Sequence, residues 1–400
     1  MVTALLLAAL AAQQAGVDYR AQAESWRRVV AASATDARAW SNLGVTLHLA
    51  GDDAGAIAAL DRALQLDQSL ASAQLFKGLA LTRTGKPAAA LPCLERAARL
   101  DTRGSLPALG LARAHVALGD FSQANDAYFE ATRRDPASSE AWYGLGITYK
   151  TLLAAAARRL AAAAGDPSAA AGTEGAPTRA GFEAARKAAD APALARFARA
   201  CRGLAVEALS MAVSLDPGSV QAHLILAESF RDSGREQEAI QEYQAALRLR
   251  PDASAPYFGL ALTLWRANQP EQAEQSVRKA LALSPNDPDA AALLAELLLR
   301  RGENAEALRL ARLALDRGPN SHRARLTAAK LALAEGRAEE AVATIEPVLS
   351  SDPNGALHYF YSQALRRAGR TPEAEAAMAR FRTLRGWAGS TGARPDSSFE

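Results

Sequence analysis

Cysteine is nearly absent: only Cys93 and Cys201 occur in 400 residues. They fall far apart along the chain, so a disulfide between them is not expected, and the pair does not decide the redox compartment. Aromatic residues make up 6% of the chain against 49% hydrophobic residues overall. That balance excludes the aromatic-heavy core of a sheet protein and suits alanine-rich helix packing. The five histidines are scattered, and none pairs with another at the H-E-x-x-H spacing that puts two ligands on one helix face, so no metal site is expected. A net charge of +3 argues against a dedicated nucleic-acid binder. No apolar run approaches the roughly 20 residues of a membrane span. There is no glycine-rich phosphate loop and no activated Ser or Cys signature, and carboxylate neighbours such as Glu339 and Glu340 fit ordinary exposed helix charges. The chain is therefore expected to be no enzyme and to carry no cofactor.

What the chain has is a period. Pro217, Pro251, Pro285, Pro319 and Pro353 recur every 34 residues, and Asp67, Asp101 and Asp135 keep the same step earlier. A fixed period of this length predicts a repeat architecture. In that register the eighth position of each unit is small: Gly44, Gly78, Ala112, Gly146, Ala227, Ala261, Ala295, Ala329 and Ser362. The twentieth is alanine in all nine units: Ala56, Ala90, Ala124, Ala205, Ala239, Ala273, Ala307, Ala341 and Ala374. Between them lies a turn marked by Gly51, Gly85, Gly119, Gly234, Gly302, Gly336 and Gly369, where glycine can take the left-handed conformation that ends a helix. Each unit is expected to be helix, turn, helix. One such hairpin cannot bury its apolar face alone, whereas a stack of them builds a continuous core from local contacts.

Trp142, Leu145, Gly146 and Tyr149 complete a W-x2-L-G-x2-Y run, and Trp40, Leu43, Gly44 and Leu47 nearly repeat it. In these residues the chain resembles the tetratricopeptide repeat family over roughly residues 37 to 385, apart from one insertion. The eighth unit, with Arg325, Ala328 and Ala332 at the bulky positions, is placed by its spacing and by Ala341 and Pro353. The resemblance implies an all-α, right-handed α-solenoid of antiparallel helix pairs.

The repeat is interrupted once and flanked by two atypical ends. Residues 1–16 carry no charge and include an apolar block from Leu5 to Ala12, which fits either a secretory leader or a capping helix. A leader would place the chain in the periplasm or outside the cell; otherwise it is cytoplasmic. Residues 17–36 form a partial repeat. Residues 37–149 hold units one to three and the first helix of the fourth, and residues 204–385 hold the remainder of the fourth and units five to nine. Between them, residues 150–203 are an alanine-rich basic hairpin with a loop at about 165–181, Phe182 opening the return and Asp190 with Pro192 starting the second helix. From Lys150 to Arg202 this segment has nine basic and four acidic residues, with Arg158, Arg159, Arg196 and Arg199 on its basic face. Residues 386–400 are expected to be a polar tail.

Function then falls to binding. The resemblance implies a concave groove lined by the first helices, with candidate partner-binding residues Leu75, Leu79, Arg113, Tyr143, Ile147, Phe258, Leu262 and Trp265. Two specialised family readings fail by residue. A carboxylate clamp needs Lys and Asn where this chain has Ser41 and Val45, and an asparagine ladder finds only Asn42 against Phe76, Gly110, Gly144, Ile225 and Gly259. The expected role is a protein-interaction scaffold taking a peptide or helix of a partner, in a bacterial envelope complex if the leader is real. The alternative is a membrane-proximal or nucleic-acid-associated adaptor whose basic insertion binds an anionic partner. Oligomeric state is not encoded in the pattern.

Overall fold

Alanine, glycine and a short turn are enough to bring two helices side by side, and this arrangement recurs along the chain. The computed structural model describes residues 18–163, 179–186, 191–352 and 355–390, and the chain divides into two units at Thr151–Leu152. In the first unit, α1 (Tyr19–Ala32) precedes the pairs α2 (Ala37–Leu49) with α3 (Asp53–Leu66), α4 (Ala71–Arg83) with α5 (Pro87–Leu100), and α6 (Leu106–Leu118) with α7 (Phe121–Arg134). Helix α8 (Ser139–Ala163) crosses the boundary. The second unit continues with α9 (Arg179–Arg186), α10 (Ala191–Leu215), α11 (Val220–Asp232), α12 (Glu236–Leu249), α13 (Ser254–Arg266), α14 (Pro270–Leu283), α15 (Pro288–Arg301) and α16 (Asn304–Arg317). It ends with α17 (His322–Ala334), α18 (Ala338–Ile345) and its 3₁₀ continuation Glu346–Ser351, α19 (Ala356–Arg367) and α20 (Thr371–Ser390). Among the described residues every regular element is helical, as the pattern predicts.

The alanines at the twentieth position are the closest contacts. All nine are at most 1% exposed. The eighth position meets them from the facing helix: a Cβ on Gly44 would overlap Leu60, and one on Gly78 would overlap Leu94. A second fit, between repeats, involves glycines at the sixth position. Gly144 lies under the ring of Tyr128 from the preceding repeat, and Gly259 lies under Tyr243 in the same relation. A large ring on one repeat takes the room that the next repeat leaves by having no side chain.

Turn chemistry follows the glycines. Gly51, Gly85, Gly119, Gly234, Gly302, Gly336 and Gly369 all have φ between 71° and 90°. In the sixth repeat Asn268 takes that place at φ 57°, a conformation asparagine tolerates better than other side chains. The recurring aspartates close the turns between repeats: Asp67, Asp101 and Asp135 accept from the backbone N–H of Ser69, Gly104 and Ala137 at 2.8, 2.8 and 3.1 Å.

The fourth position carries a device that residue type conceals. Trp40 Nε1 donates to the Ala34 carbonyl at 3.0 Å and Trp142 Nε1 to that of Pro136 at 2.9 Å. His223 Nε2 reaches the Pro217 carbonyl at 3.1 Å, and Arg325 Nε donates to Pro319 at 2.5 Å. Each latches the loop six residues before it. Arg325, degenerate by consensus, thus does the work of the tryptophan it replaces.

Three expectations need adjustment. Helix α9 begins at Arg179, before the expected end of the loop at 181, and α20 runs to Ser390, into the stretch expected to be tail. Pro347 has no N–H to donate, and the second helix of the eighth repeat gives way there to a 3₁₀ turn. Residues 1–17, the bulk of the loop, Asp190, Pro353 and residues 391–400 lie outside the described residues.

The ring-over-glycine fit predicts that Gly144→Ala will destabilise the first unit by roughly 1–2 kcal/mol, overpacking outweighing the gain in helix propensity. Combining it with Tyr128→Leu should cost less than the sum of the two single changes. Denaturant unfolding of the four proteins checks this, and strict additivity would show that the two residues do not share the space.

Candidate functional site

Helix periodicity gives the first helix of each pair one edge that faces its partner helix and another that faces the next first helix, and the candidate residues divide along that line. Leu75 is 1% exposed, and with Leu79 it packs against Gly110 on α6. Trp265 is 7% exposed, within the core cluster of Leu260, Leu264 and Leu293, and the Arg300 guanidinium lies 4.6 Å from its ring centre. These two are core residues and not surface sockets, because the neighbouring first helix covers them. Leu79, Tyr143 and Ile147 in the first unit, and Phe258 and Leu262 in the second, are half-buried and keep part of their surface. Arg113 is exposed, yet it is engaged by the next repeat: its Nε donates to Glu140 Oε1 at 2.9 Å, and Nη2 reaches the same oxygen.

That ion pair is one of a set. Arg83 of α4 grips both carboxylate oxygens of Asp53 on α3 through Nε and Nη2, and Nη2 also donates to the His48 carbonyl at 2.5 Å. His48 Nδ1 lies 2.7 Å from the same carboxylate, and its ring meets Phe76 edge-on at 5.7 Å. Burial holds His48 below the usual imidazole pKa, against the pull of Asp53, so the neutral ring donates from Nδ1. Burial alone would raise the pKa of Asp53, but its bonds to Arg83 and His48 outweigh that and bring it below the ordinary carboxylate value. In the second unit Glu296 is 5% exposed and holds Lys330, while Arg323 Nη1 lies at 3.6 Å. Lys330 also sits 5.0 Å from the centre of the Phe360 ring.

A search for apolar side chains on first helices passes over these groups, because each charge is ordinary within its own repeat. Opposite charges in matching rows of successive repeats carry the signal, as in Glu296 and Lys330, both at position nine and 34 residues apart.

The basic insertion is narrower in charge than its composition suggests. Arg158, Arg159 and Arg196 are exposed, and Arg199 is half-buried. Arg179 stacks over Phe182 at 4.7 Å and pairs with Glu183 at 2.5 Å, and Arg186 lies 5.9 Å from the same ring. Phe182 is itself sealed against Phe197 at 5.1 Å, so these two arginines support the insertion's own core. Lys187 lies outside the described residues. Burial pushes the Cys201 thiol up to about 12 and raises that of Cys93, which leaves both poor nucleophiles near neutral pH. Among the described residues, no group of three His, Cys, Asp or Glu could hold a metal ion, and no helix is long and apolar enough to cross a membrane.

Two outcomes test this charged framework. Glu296→Gln leaves Lys330 and Arg323 without their buried counter-ion and should cost about 3 kcal/mol of stability; a change within error would assign the cluster no structural role. Lowering the pH should also weaken the first unit. The unfolded His48 binds a proton near pH 6.5 that the buried ring resists, so stability is full above that value and falls as pH drops below it. Asp53 adds a further loss as pH falls past 3.8 toward its depressed folded value. His48→Gln should flatten the first part of the melting-temperature profile against pH and reduce the second only in part, since Asp53 keeps its bonds to Arg83.

Models of the tetratricopeptide repeat match residues 6–71, 81–149, 178–254, 230–297, 264–310, 298–359 and 355–380. No curated protein matches the chain. Among solved structures, a tetratricopeptide repeat protein from Parabacteroides merdae aligns with a TM-score of 0.50 and 15% identity, over 70% of this chain and 93% of that one. PilF of Pseudomonas aeruginosa aligns with a TM-score of 0.42 at 19% identity, over 69% of this chain and 97% of its own. The MamA protein aligns with 0.39 at 20% identity, over 54% and 92%. Matched over most of its length by these repeat models, and folded into the helix pairs they describe, the chain belongs to the tetratricopeptide repeat family.

Proposed function

We propose that the chain is a non-enzymatic scaffold that captures an extended peptide or a helix of a partner protein along the face of its first helices. Family membership supports the general role. The observation that carries the specific reading is the set of half-buried apolar side chains, Leu79, Tyr143 and Ile147 in one unit and Phe258 and Leu262 in the other, beside ion pairs already satisfied between repeats. Apolar side chains held at fixed places beside neutralised charge suit the anchors of a bound segment, since docking there strands no unpaired ion. If residues 1–12 are a secretory leader, the scaffold works in a bacterial envelope complex. The second reading, an adaptor that attaches to an anionic membrane or nucleic acid through the insertion, draws on the exposed Arg158, Arg159 and Arg196.

A crosslinked pull-down from the native cell separates the two, using the intact protein beside one in which residues 154–200 are replaced by a short turn. The groove reading expects the same partner with both proteins, and at least tenfold less of it from Tyr143→Ala combined with Leu262→Glu. Capture by the intact protein alone would transfer recognition to the insertion.

A further inference from the structure

The second helices with regular repeats, such as α12 and α14, are 14 residues long, whereas α10 has 25. It therefore extends about 16 Å beyond the ordinary start of a second helix. This overhang changes the environment of the following turn. Gly51, Gly85, Gly119, Gly302, Gly336 and Gly369 are exposed at their turns, but Gly234, which follows α11, is partly covered. Between α10 and that turn lies a cleft of about 550 Å³, into which Arg199, Arg202, Glu207 and Ser210 face from the helix and Ser233 and Arg235 from the turn.

The cleft is basic and held in place. Three arginines and one glutamate line it. Arg235 donates from Nε to Glu238 at 2.8 Å and lies 4.4 Å from the Phe230 ring centre, which fixes its plane. Burial works against the charged form of Arg202, with Asp232 in partial opposition, so a further negative group at this spot would be stabilised by a poorly hydrated cation. The volume lies within the range of ligand pockets and exceeds what a lone inorganic ion fills. Glu207 in the wall disfavours a polyanion, and among the described residues no aromatic side chain lines the cleft for base stacking, which argues against nucleic acid.

We propose that this cleft binds an oxyanion carried by a peptide, a carboxylate or a phosphate, with Arg199, Arg202 and Arg235 facing the charge and Ser210 as a hydroxyl donor. It is built by the second helix of one repeat and the turn of the next, so it is separate from the first-helix face and does not rest on the groove reading. Arginine suits the task because its planar fork meets an oxyanion with two parallel hydrogen bonds.

Fluorescence anisotropy of the full chain tests this with three labelled peptides of one sequence, carrying glutamate, phosphoserine or glutamine at the central positions. The glutamate peptide, the phosphoserine peptide or both should bind, which identifies the source of the oxyanion, and the glutamine peptide should bind at least tenfold more weakly. Arg202→Gln with Arg235→Gln should weaken binding at least tenfold, and Ser233→Trp, which fills the cleft without removing charge, should do the same. Arg309→Gln with Arg312→Gln, the same charge change at exposed positions on α16, should stay within twofold of the parent, as should the groove variant Leu262→Glu. Circular dichroism checks that each variant is folded, and Ser233→Trp carries the test if the arginine pair does not fold. Equal loss from the α16 pair would reduce the effect to diffuse attraction and overturn the proposal. So would unchanged binding in Ser233→Trp, or no preference for the charged peptides.

Discussion

The architecture depends on a methyl group. Where two helices of a repeat cross, the twentieth position is alanine without exception and fully enclosed. Any larger side chain there would push the helices apart and lose the dispersion contacts of everything packed around them. The small eighth position, the left-handed turn and the leucines on either side all follow from that approach distance. Because each repeat contacts mainly its neighbours, the constraint is met locally within each unit.

Much of this was legible in the sequence because backbone proximity admits few residue types. Alanine and glycine at fixed spacing leave little choice of fold, and the period counts the repeats. What was not legible depends on pairs. The fit of Tyr128 over Gly144 is invisible when each position is considered down its own column, because neither residue is unusual alone. Charges behave likewise: Glu296 is an ordinary helical glutamate until Lys330 and Arg323 are brought to it. The candidate face shows the same limit from the other side. Leu75 and Trp265 carry the periodicity of groove residues, but the adjacent first helix covers them, and coverage by a neighbour is not a property of one repeat.

The insertion illustrates how composition overstates a surface. Nine basic residues in one segment suggest a broad positive face. Two of them instead clasp Phe182, where a guanidinium can shed water against an aromatic ring while Glu183 balances the charge. The segment thus builds a small core of its own from Phe182, Phe197 and the buried Cys201 beneath the overhang of α10.

The latch at the fourth position bears on how such arrays diverge. Tryptophan, histidine and arginine share little in size or hydropathy, but each places an N–H where the preceding loop offers a carbonyl. What these positions share is the direction of a donor and not the identity of a side chain. In the genetic code a single base change converts the tryptophan codon to an arginine codon, and a silent change followed by one more converts that to histidine. Arginine therefore lies between the other two, and a repeat that passes through it can leave the consensus while its loop stays closed.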